Sequence, residues 1–515
     1  MDKNSEHNER ALRKLRLELE NDIELAVKLS QLCEIWELLR LGFLLHICRL
    51  QTHLEDRRSS MTHGETLSMQ LIEDATKYSI SIVASNGLWQ SGLNDSKKDG
   101  LLNNELVNDV LEICQHINAK YEYESLIPIA DVTVSGERDQ ECAIDLSSMM
   151  ESPERARMIS YGYRLENATF ISKNRTLDAE QHLKKFQTDF ADIGDLFQLD
   201  TGLTIEEYCS GLTSLIRLVQ GKIQLAEGKC ATLSNGNIDI QQARSFYALA
   251  RTFIVESEEL LGAVGEKFFA YMQRTRFQPQ EVSNSELRFH YLSRKPYFFG
   301  EGFAVIFPSL VLDSIFTNTH FSLLEKLEAK PSYVERRSKW FVDKICATAS
   351  PFGFIEVTRD LYLREGKKNY GDIDLILQHQ TTGNYLLVEA KNHALPLDVY
   401  FRSHTHTEAH LERTKDWERK VSGRLAYLAR RSSEIGITNP YRYIIVTLHP
   451  EILSHVSEIM VLSIDEFELW IRAGCEPEKF NDFYTQQYHP EKSNLSDDDM
   501  LQLQRDGFAL MRPKR

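Results

Sequence analysis

GDIDLILQ (residues 371–378) and YLLVEAK (residues 385–391) are separated by the six residues HQTTGN. Each of the two stretches is a short apolar run with isolated charges, which is typical of a β-strand that is buried on one face. The connection contains the glycine and asparagine that tight turns favour. We therefore predict a β-hairpin at this point in the chain.

The charged residues of this hairpin share one face of the predicted strands, because successive side chains of a strand point to opposite faces. If the last residue of the first strand pairs with the first residue of the second, Asp374 lies across from Glu389. Asp372 then lies across from Lys391. A shift of one residue would set Asp374 against an apolar side chain, so the pattern favours this register. The other face of the first strand is predicted to hold Ile373, Leu375 and Leu377.

Two carboxylates at paired positions have Cβ atoms roughly 4.5–5.5 Å apart and repel each other unless a cation lies between them. Oxygen ligands at this spacing suit Mg²⁺ or Mn²⁺, ions that also bind the phosphate of a substrate. Lys391 lies one pleat beyond Glu389, where an ammonium group can orient a water or neutralise charge developing on phosphate. The alternative is a solvated sheet face on which Asp372 pairs with Lys391.

The same residues resemble the core of the PD-(D/E)xK nuclease superfamily, which has the restriction-endonuclease-like fold. The resemblance implies that Asp374 and Glu389 ligate Mg²⁺ or Mn²⁺ together with the carbonyl oxygen of Ala390. It also implies that Lys391 is the catalytic lysine. The proline of the family's name is absent, since Ile373 precedes Asp374, and this departure is common in the superfamily.

Many members of the superfamily also carry a glutamate on the helix before the sheet. Glu335 lies in a helical pattern near residues 332–347, so the resemblance makes it a further candidate catalytic residue. An exposed helical glutamate is the alternative. The implied activity is that of a metal-dependent endonuclease that hydrolyses DNA phosphodiester bonds, and large fusions of this kind often act in bacterial restriction or anti-phage defence.

A basic segment follows the hairpin. Residues 402–431 hold eight lysines and arginines against four acidic residues, on a chain whose formal net charge is −16. Arg413, Lys420 and Arg424 recur at helical spacing, which favours contacts with DNA phosphates, and Lys415 lies beside them. The alternative for all four residues is a solvated helix face.

Three histidines, His404, His406 and His410, lie at the start of this basic segment. Histidines four residues apart on a helix can ligate zinc together, but no cysteine or fourth ligand is near them. We therefore favour a solvated or phosphate-contacting cluster over a zinc site.

The chain before about residue 320 has the periodicity of helices. Apolar residues recur at steps of three and four over residues 10–56, which predicts one long helix. It belongs either to a helical bundle or to a homo-oligomer that associates through the N-terminal helices. We divide the chain into a helical region (1–125), a mainly helical region (126–320), an α/β nuclease domain with a mixed sheet flanked by helices (321–475) and a C-terminal tail (476–515).

The composition of the 515 residues is that of a globular protein, with 42% hydrophobic and 26% charged residues. The acidic balance excludes a protein that coats nucleic acid by bulk charge. None of the eight cysteines forms a C-x-x-C pair, which excludes a zinc ribbon or thioredoxin-type site. Without an apolar signal core or a membrane-length apolar run, the sequence predicts a cytoplasmic protein with no membrane partner.

Rival functions remain open at this point. A structure-selective DNA repair or junction nuclease would use the same residues and would cleave branched DNA in preference to linear duplex. A non-catalytic nucleic-acid-binding scaffold would retain the nuclease-like fold without turnover. A helical assembly protein whose C-terminal domain is incidental is the remaining alternative.

Overall fold

The computed structural model describes residues 3–53, 63–92, 104–127, 130–135, 143–149, 153, 157–158, 160–162, 164–165, 179–230, 243–279, 290–326, 328–393 and 404–488. The chain forms two compact units, each built from separate segments. The sheet unit comprises Met1–Leu15, Glu122–Ser172 and Val334–Leu495. The helical unit comprises Arg16–Tyr121, Lys173–Tyr333 and Ser496–Arg515.

The described helices are α1 (Lys3–Ser30), α2 (Ile35–His53), α3 (His63–Asn86), α4 (Asn104–Leu126), α5 (Ala179–Asp189), α6 (Gly194–Thr201), α7 (Ile205–Glu227), α8 (Ala243–Ala250), α9 (Ser257–Val264), α10 (Glu266–Arg274), α11 (His290–Arg294), α12 (Pro308–Glu325), α13 (Lys330–Ala349), α14 (His404–Arg431), α15 (Ile464–Arg472) and α16 (Phe480–Tyr488). The described strands are β1 (Ala130–Ser135), β2 (Ala143–Met149), β3 (Ile254–Glu256), β4 (Tyr297–Phe299), β5 (Phe303–Ile306), β6 (Phe354–Glu365), β7 (Lys368–His379), β8 (Tyr385–Lys391), β9 (Tyr441–Thr447) and β10 (Val461–Ser463). None of these helices combines the length and apolar character that crossing a bilayer requires.

The long helix predicted over residues 10–56 is two helices in the structure, so that prediction is wrong. The helix α1 ends at Ser30 and α2 begins at Ile35. The carboxylate of Glu37 accepts a hydrogen bond of 2.8 Å from the backbone N–H of Glu34, which satisfies a donor at the start of α2. An apolar period of three to four residues continues through such a break, so periodicity alone does not reveal it.

The helical unit is held together by one large apolar cluster of aliphatic and aromatic side chains. Its helix α7 begins with a capping box, in which Thr204 and Glu207 satisfy each other's backbone N–H groups. Gly211 on the same helix lets Phe268 pack closely, since a Cβ atom at position 211 would come within 2.3 Å of that ring. The mainly helical character predicted for this part of the chain is confirmed, with β3, β5 and β4 forming a small antiparallel sheet within it.

The sheet unit contains a mixed five-stranded sheet in the order β10-β9-β8-β7-β6. The strands β6, β7 and β8 are antiparallel neighbours, whereas β8, β9 and β10 are parallel. A parallel pair needs a crossover connection, and α14 lies between β8 and β9 in the chain. The predicted α/β layout with a mixed sheet is therefore confirmed for this part of the chain.

Apolar clusters cover both faces of this sheet. On the α14 face, Ile376 and Leu387 pack with Val421 and Leu428 of the helix. On the α13 face, Leu377, Val388 and Ile444 pack with helical residues that include Phe341 and Trp470. The inner strands β8 and β9 and the second half of β7 are therefore buried on both sides, as expected for a sheet between two helical layers, whereas the edge strand β6 is mostly exposed or half-buried.

An earlier segment of the chain also contributes to the α14 face. Arg164 is fully buried and donates to both carboxylate oxygens of Glu466 on α15, at 2.8 Å each. Tyr161 and Leu165 belong to the same apolar cluster as the α14 face. The sheet unit is thus completed by residues that lie about 300 positions apart in the chain, since these hydrogen bonds span a separation of 302.

The hairpin of β7 and β8 has the predicted register. Gln378 pairs with Tyr385, and the ladder continues to the pair of Leu375 and Val388. The next residue after this last pair is Asp374 on β7 and Glu389 on β8. The two acids therefore lie where the regular ladder ends. The predicted register is confirmed for the four pairs next to the turn, whereas the ladder does not include the predicted pairs of Asp374 with Glu389 and of Asp372 with Lys391.

The expectation that Ile373, Leu375 and Leu377 share one face is wrong. Ile373 belongs to the cluster on the α14 face, whereas the other two belong to the α13 face. The regular alternation of β7 side chains between the two faces of the sheet is therefore interrupted at Asp374. Asp360 on β6 lies opposite this position, between two ladder pairs, and has a φ of 50°, so the backbone is irregular at this point of both strands.

Candidate active site

Three carboxylates converge where β6 and β7 run side by side. The carboxylate oxygens of Asp360, Asp372 and Asp374 lie within 4.8 Å of one another. Asp360 is exposed, and the two β7 residues are half-buried. Clustered carboxylate oxygens repel one another and form the hard donor set that Mg²⁺ or Mn²⁺ binds.

Asp374 lies in an environment that disfavours its negative charge. Its pKa is raised to about 6, first by burial and then by the charge of Glu389, while Lys391 and a hydrogen bond from Ala390 act in the opposite direction. That hydrogen bond runs from the backbone N–H of Ala390 to Oδ2 of Asp374 at 2.7 Å. The position thus disfavours an isolated negative charge, and a bound divalent cation would relieve this.

Glu389 is buried on the α14 face and is neutralised by two cationic side chains. Its Oε1 accepts a hydrogen bond of 2.6 Å from the amine of Lys391. Its Oε2 accepts from the guanidinium of Arg424, and the hydroxyl of Tyr443 lies 3.4 Å from the same oxygen. Burial and the charge of Glu389 raise the pKa of Tyr443, so this hydroxyl remains a donor. The carboxylate is therefore fully paired within the protein.

Arg424 links Glu389 to the start of β7. Only 5% of the residue is exposed, and its Nε donates to the carbonyl of Tyr370 at 3.2 Å. Its Nη2 lies 4.0 Å from Asp372. Gly371 permits this approach, because a Cβ atom there would lie 2.8 Å from Nη2 of Arg424.

The placement of Arg424 corrects the prediction that it contacts DNA phosphates. Val421 and Leu428 flank it at helical spacing on the buried face of α14, so the side chain of Arg424 lies towards the protein interior. That apolar flanking is a signal in the sequence that favours a buried arginine over a solvent-facing one.

The other basic residues predicted to contact nucleic acid lie on the surface. Arg413, Lys415 and Lys420 are exposed on α14. Lys415 pairs with Glu412 at 2.6 Å, and Lys420 pairs with Asp416 at 2.7 Å. Exposed pairs of this kind are weak and exchange readily for other anions. Contact with DNA by these three residues stays a prediction.

Glu335 lies on α13 with its side chain exposed. The apolar residues of that helix, Phe341 and Ile345, pack on the α13 face of the sheet, whereas Glu389 lies on the other face. Within the described part of the chain, Glu335 is in neither group of side chains that could hold a metal together. Its catalytic role stays a prediction.

The two histidines of the basic segment whose side chains are described, His406 and His410, lie in different environments. The structure describes no side chain for His404, and His406 is exposed on α14. His410 is buried and contacts Glu451 instead. The side chains of His406 and His410 therefore lie in different environments, although the two residues have the spacing of two metal ligands on a helix.

Two residues of the candidate site carry no signal in the sequence. Asp360 reaches the acidic group only through the pairing of β6 with β7, which contains a register shift between Glu356 and Thr358. Tyr443 reaches Glu389 because β9 is the parallel neighbour of β8. Neither pairing follows from local residue patterns.

Comparison with known proteins adds no relative to this picture. No family model matches the chain, no curated protein matches it, and no solved structure matches it.

Proposed function

We propose that the sheet unit is a metal-dependent endonuclease that hydrolyses DNA phosphodiester bonds and belongs to the PD-(D/E)xK type. The observation that carries the proposal is the convergence of the carboxylates of Asp360, Asp372 and Asp374 beside the paired Glu389 and Lys391. Carboxylates that repel one another can bind a divalent cation, and an amine beside them can orient a water. This combination suits the hydrolysis of a phosphodiester bond.

The donor set fits Mg²⁺ or Mn²⁺. Asp374 would hold the ion with Asp360 and Asp372, whose carboxylate oxygens lie within 4.8 Å of its own, and with the carbonyl oxygen of Ala390. Glu389 lies outside this group and would become a ligand only by exchanging its contact with Lys391 or Arg424 for the ion. A divalent cation bound there supplies Lewis-acid activation of water and neutralises charge on the substrate phosphate.

The protein's own residues orient the attacking water and hold one another in place. About a quarter of the Lys391 side chain is exposed, so its amine can reach both Glu389 and a water at the surface of the site. Glu389 fixes the position of that amine, and Arg424 and Tyr443 fix Glu389. In this proposal Lys391 positions the water, whereas Arg424 and Tyr443 are positioning residues that act through Glu389.

The full pairing of Glu389 favours one second candidate, a nucleic-acid-binding domain without turnover. Lys391 and Arg424 already neutralise this carboxylate, so the arrangement is electrostatically satisfied without a cation between Asp374 and Glu389. In such a domain the exposed basic residues of α14 would bind phosphate, and the fold would carry no hydrolytic function.

Cleavage of supercoiled and linear DNA by the full chain, with Mg²⁺, Mn²⁺ or EDTA, distinguishes the two candidates. We expect metal-dependent nicking by the wild type and loss of nicking in Asp374→Ala and Lys391→Ala. Asp482→Asn removes an exposed acid on α16 and serves as the control that keeps activity. Equal cleavage by all four proteins would remove the assignment, and DNA binding without cleavage would favour the non-catalytic domain.

A further inference from the structure

A second group of potential ligands lies beyond the end of β8. His393 follows that strand, His410 lies on α14, and Glu451 follows β9. Nε2 of His393 is 2.8 Å from Oε1 of Glu451, and Nε2 of His410 is 2.7 Å from Oε2. Each carboxylate oxygen of Glu451 thus faces one imidazole nitrogen.

The contact between His393 and Glu451 is short but is not a hydrogen bond. Oε1 of Glu451 and Nε2 of His393 are buried, and neither atom has a hydrogen-bond partner in the described residues. Glu451 is completely buried. Buried polar atoms are almost always satisfied, so two of them facing each other without a bond indicate a missing ligand between them.

The chemistry of the donors identifies that ligand. Two imidazole nitrogens and one carboxylate are the donor set of Zn²⁺ and of similar first-row divalent ions, rather than of Mg²⁺. Ligand atoms around tetrahedral zinc lie about 3.3 Å apart, given metal–ligand bonds of about 2.0–2.1 Å. The observed distances of 2.7 and 2.8 Å require only a small outward movement to admit the ion.

The surroundings hold the three side chains in place. The guanidinium of Arg164 donates to the backbone carbonyl of Glu451 at 2.7 Å. The ring of Trp417 on α14 packs edge-on against His393, with centroids 5.0 Å apart. A metal site needs such fixed supports, because each ligand must keep its orientation before the ion arrives.

We propose that His393, His410 and Glu451 form a zinc-type metal site, distinct from the carboxylate group of Asp374. The site joins the end of β8 to α14 and to the segment after β9. It stands on its own contacts, so it does not depend on the nuclease proposal.

The test is a zinc titration of the full chain in competition with a chromogenic chelator. We expect one site in the wild type, unchanged affinity in Asp374→Asn, and affinity weakened by more than about tenfold in His393→Gln and Glu451→Gln. His406→Gln is the matched control, since this histidine lies exposed on the same helix as His410.

Each outcome decides the proposal. His393 is the least buried of the three ligands, so His393→Gln reports on binding even if Glu451→Gln fails to fold. Zinc affinity in His393→Gln equal to that of the wild type would overturn the site. Loss of zinc in Asp374→Asn alone would place the ion at the acidic group instead. Absence of DNA cleavage would leave the zinc result unaffected.

Discussion

Arg424 on α14 and Glu389 on β8 form a buried ion pair across the interface between the helix and the sheet. Both residues are almost inaccessible to solvent, so each charge depends on the other for compensation. The pair also fixes the carboxylate that holds Lys391. Stability of the sheet unit and geometry of the candidate site therefore rest on the same contact.

Removal of the arginine should destabilise the protein strongly. We expect Arg424→Ala to lower the free energy of unfolding by about 3–5 kcal/mol, because it leaves Glu389 buried and partly unpaired. Arg413→Ala, which truncates an exposed arginine on the same helix, should change it by less than about 0.5 kcal/mol. Urea denaturation followed by tryptophan fluorescence measures both, and equal midpoints would show that the pair contributes little.

The raised pKa of Asp374 predicts a pH-dependent stability in the absence of divalent ions. Its folded value of about 6 exceeds the usual 3.8, so between these values the folded chain binds more protons than the unfolded chain. Stability from this group is therefore highest at low pH and is lost as pH rises through about 6. Asp374→Asn removes the charge, so the variant should gain about 1–3 kcal/mol over the wild type above pH 7, and this gain should shrink towards pH 4.

Thermal denaturation of both proteins at several pH values checks this difference. Asp482→Asn, which removes a carboxylate at an exposed position, is the matched control. A stability difference between Asp374→Asn and wild type that stays constant from pH 4 to pH 8 would contradict the assigned shift.

Substitutions at two glycines distinguish the cost of backbone strain from the cost of crowding against Arg424. Gly371 and Gly366 both have a positive φ, of 87° and 57°, but a Cβ atom would meet Arg424 only at position 371. Gly366→Ala should cost about 1 kcal/mol through its backbone alone. Gly371→Ala should cost more and should also lower any metal-dependent cleavage, because it displaces Arg424 from Glu389. Denaturation and cleavage assays on the pair measure this, and identical behaviour would argue against the crowding.

The exposed lysine Lys420 on α14 leads to a prediction about how DNA binding depends on salt concentration. Lys420→Glu should weaken binding and reduce the slope of log K against log salt by about 1, if the lysine contacts a phosphate. Lys339→Glu makes the same change at an exposed position on α13. Fluorescence anisotropy across a salt series provides the slopes, and an unchanged slope for Lys420→Glu would exclude this lysine as a phosphate contact.

The hairpin was predictable because its signals are local. The turn residues and the alternation of charged and apolar side chains select one register, and the pair of Gln378 and Tyr385 confirms it. Asp374, Glu389 and Lys391 could thus be brought together from the sequence alone. The facing of Ile373 could not, because it depends on the irregular backbone opposite, at Asp360.

The remainder of the site depends on pairings between distant segments. Arg424 shows this most clearly, because its apolar neighbours on α14 favour burial but do not identify its partner, which follows from Glu389 lying beneath α14. His393, His410 and Glu451 come from three separate elements, so their spacing in the sequence has no ligand pattern. Contacts of this kind become visible only once the sheet order is known.

The buried contact between Arg164 and Glu466 has a consequence for biosynthesis. While a ribosome is still making the chain, Arg164 emerges long before its carboxylate partner has been translated. The buried ion pair of the sheet unit can therefore form only after residue 466 has been translated. Shorter nascent chains would hold Arg164 without the carboxylate that compensates its buried charge, so this part of the sheet unit is among the last to become stable.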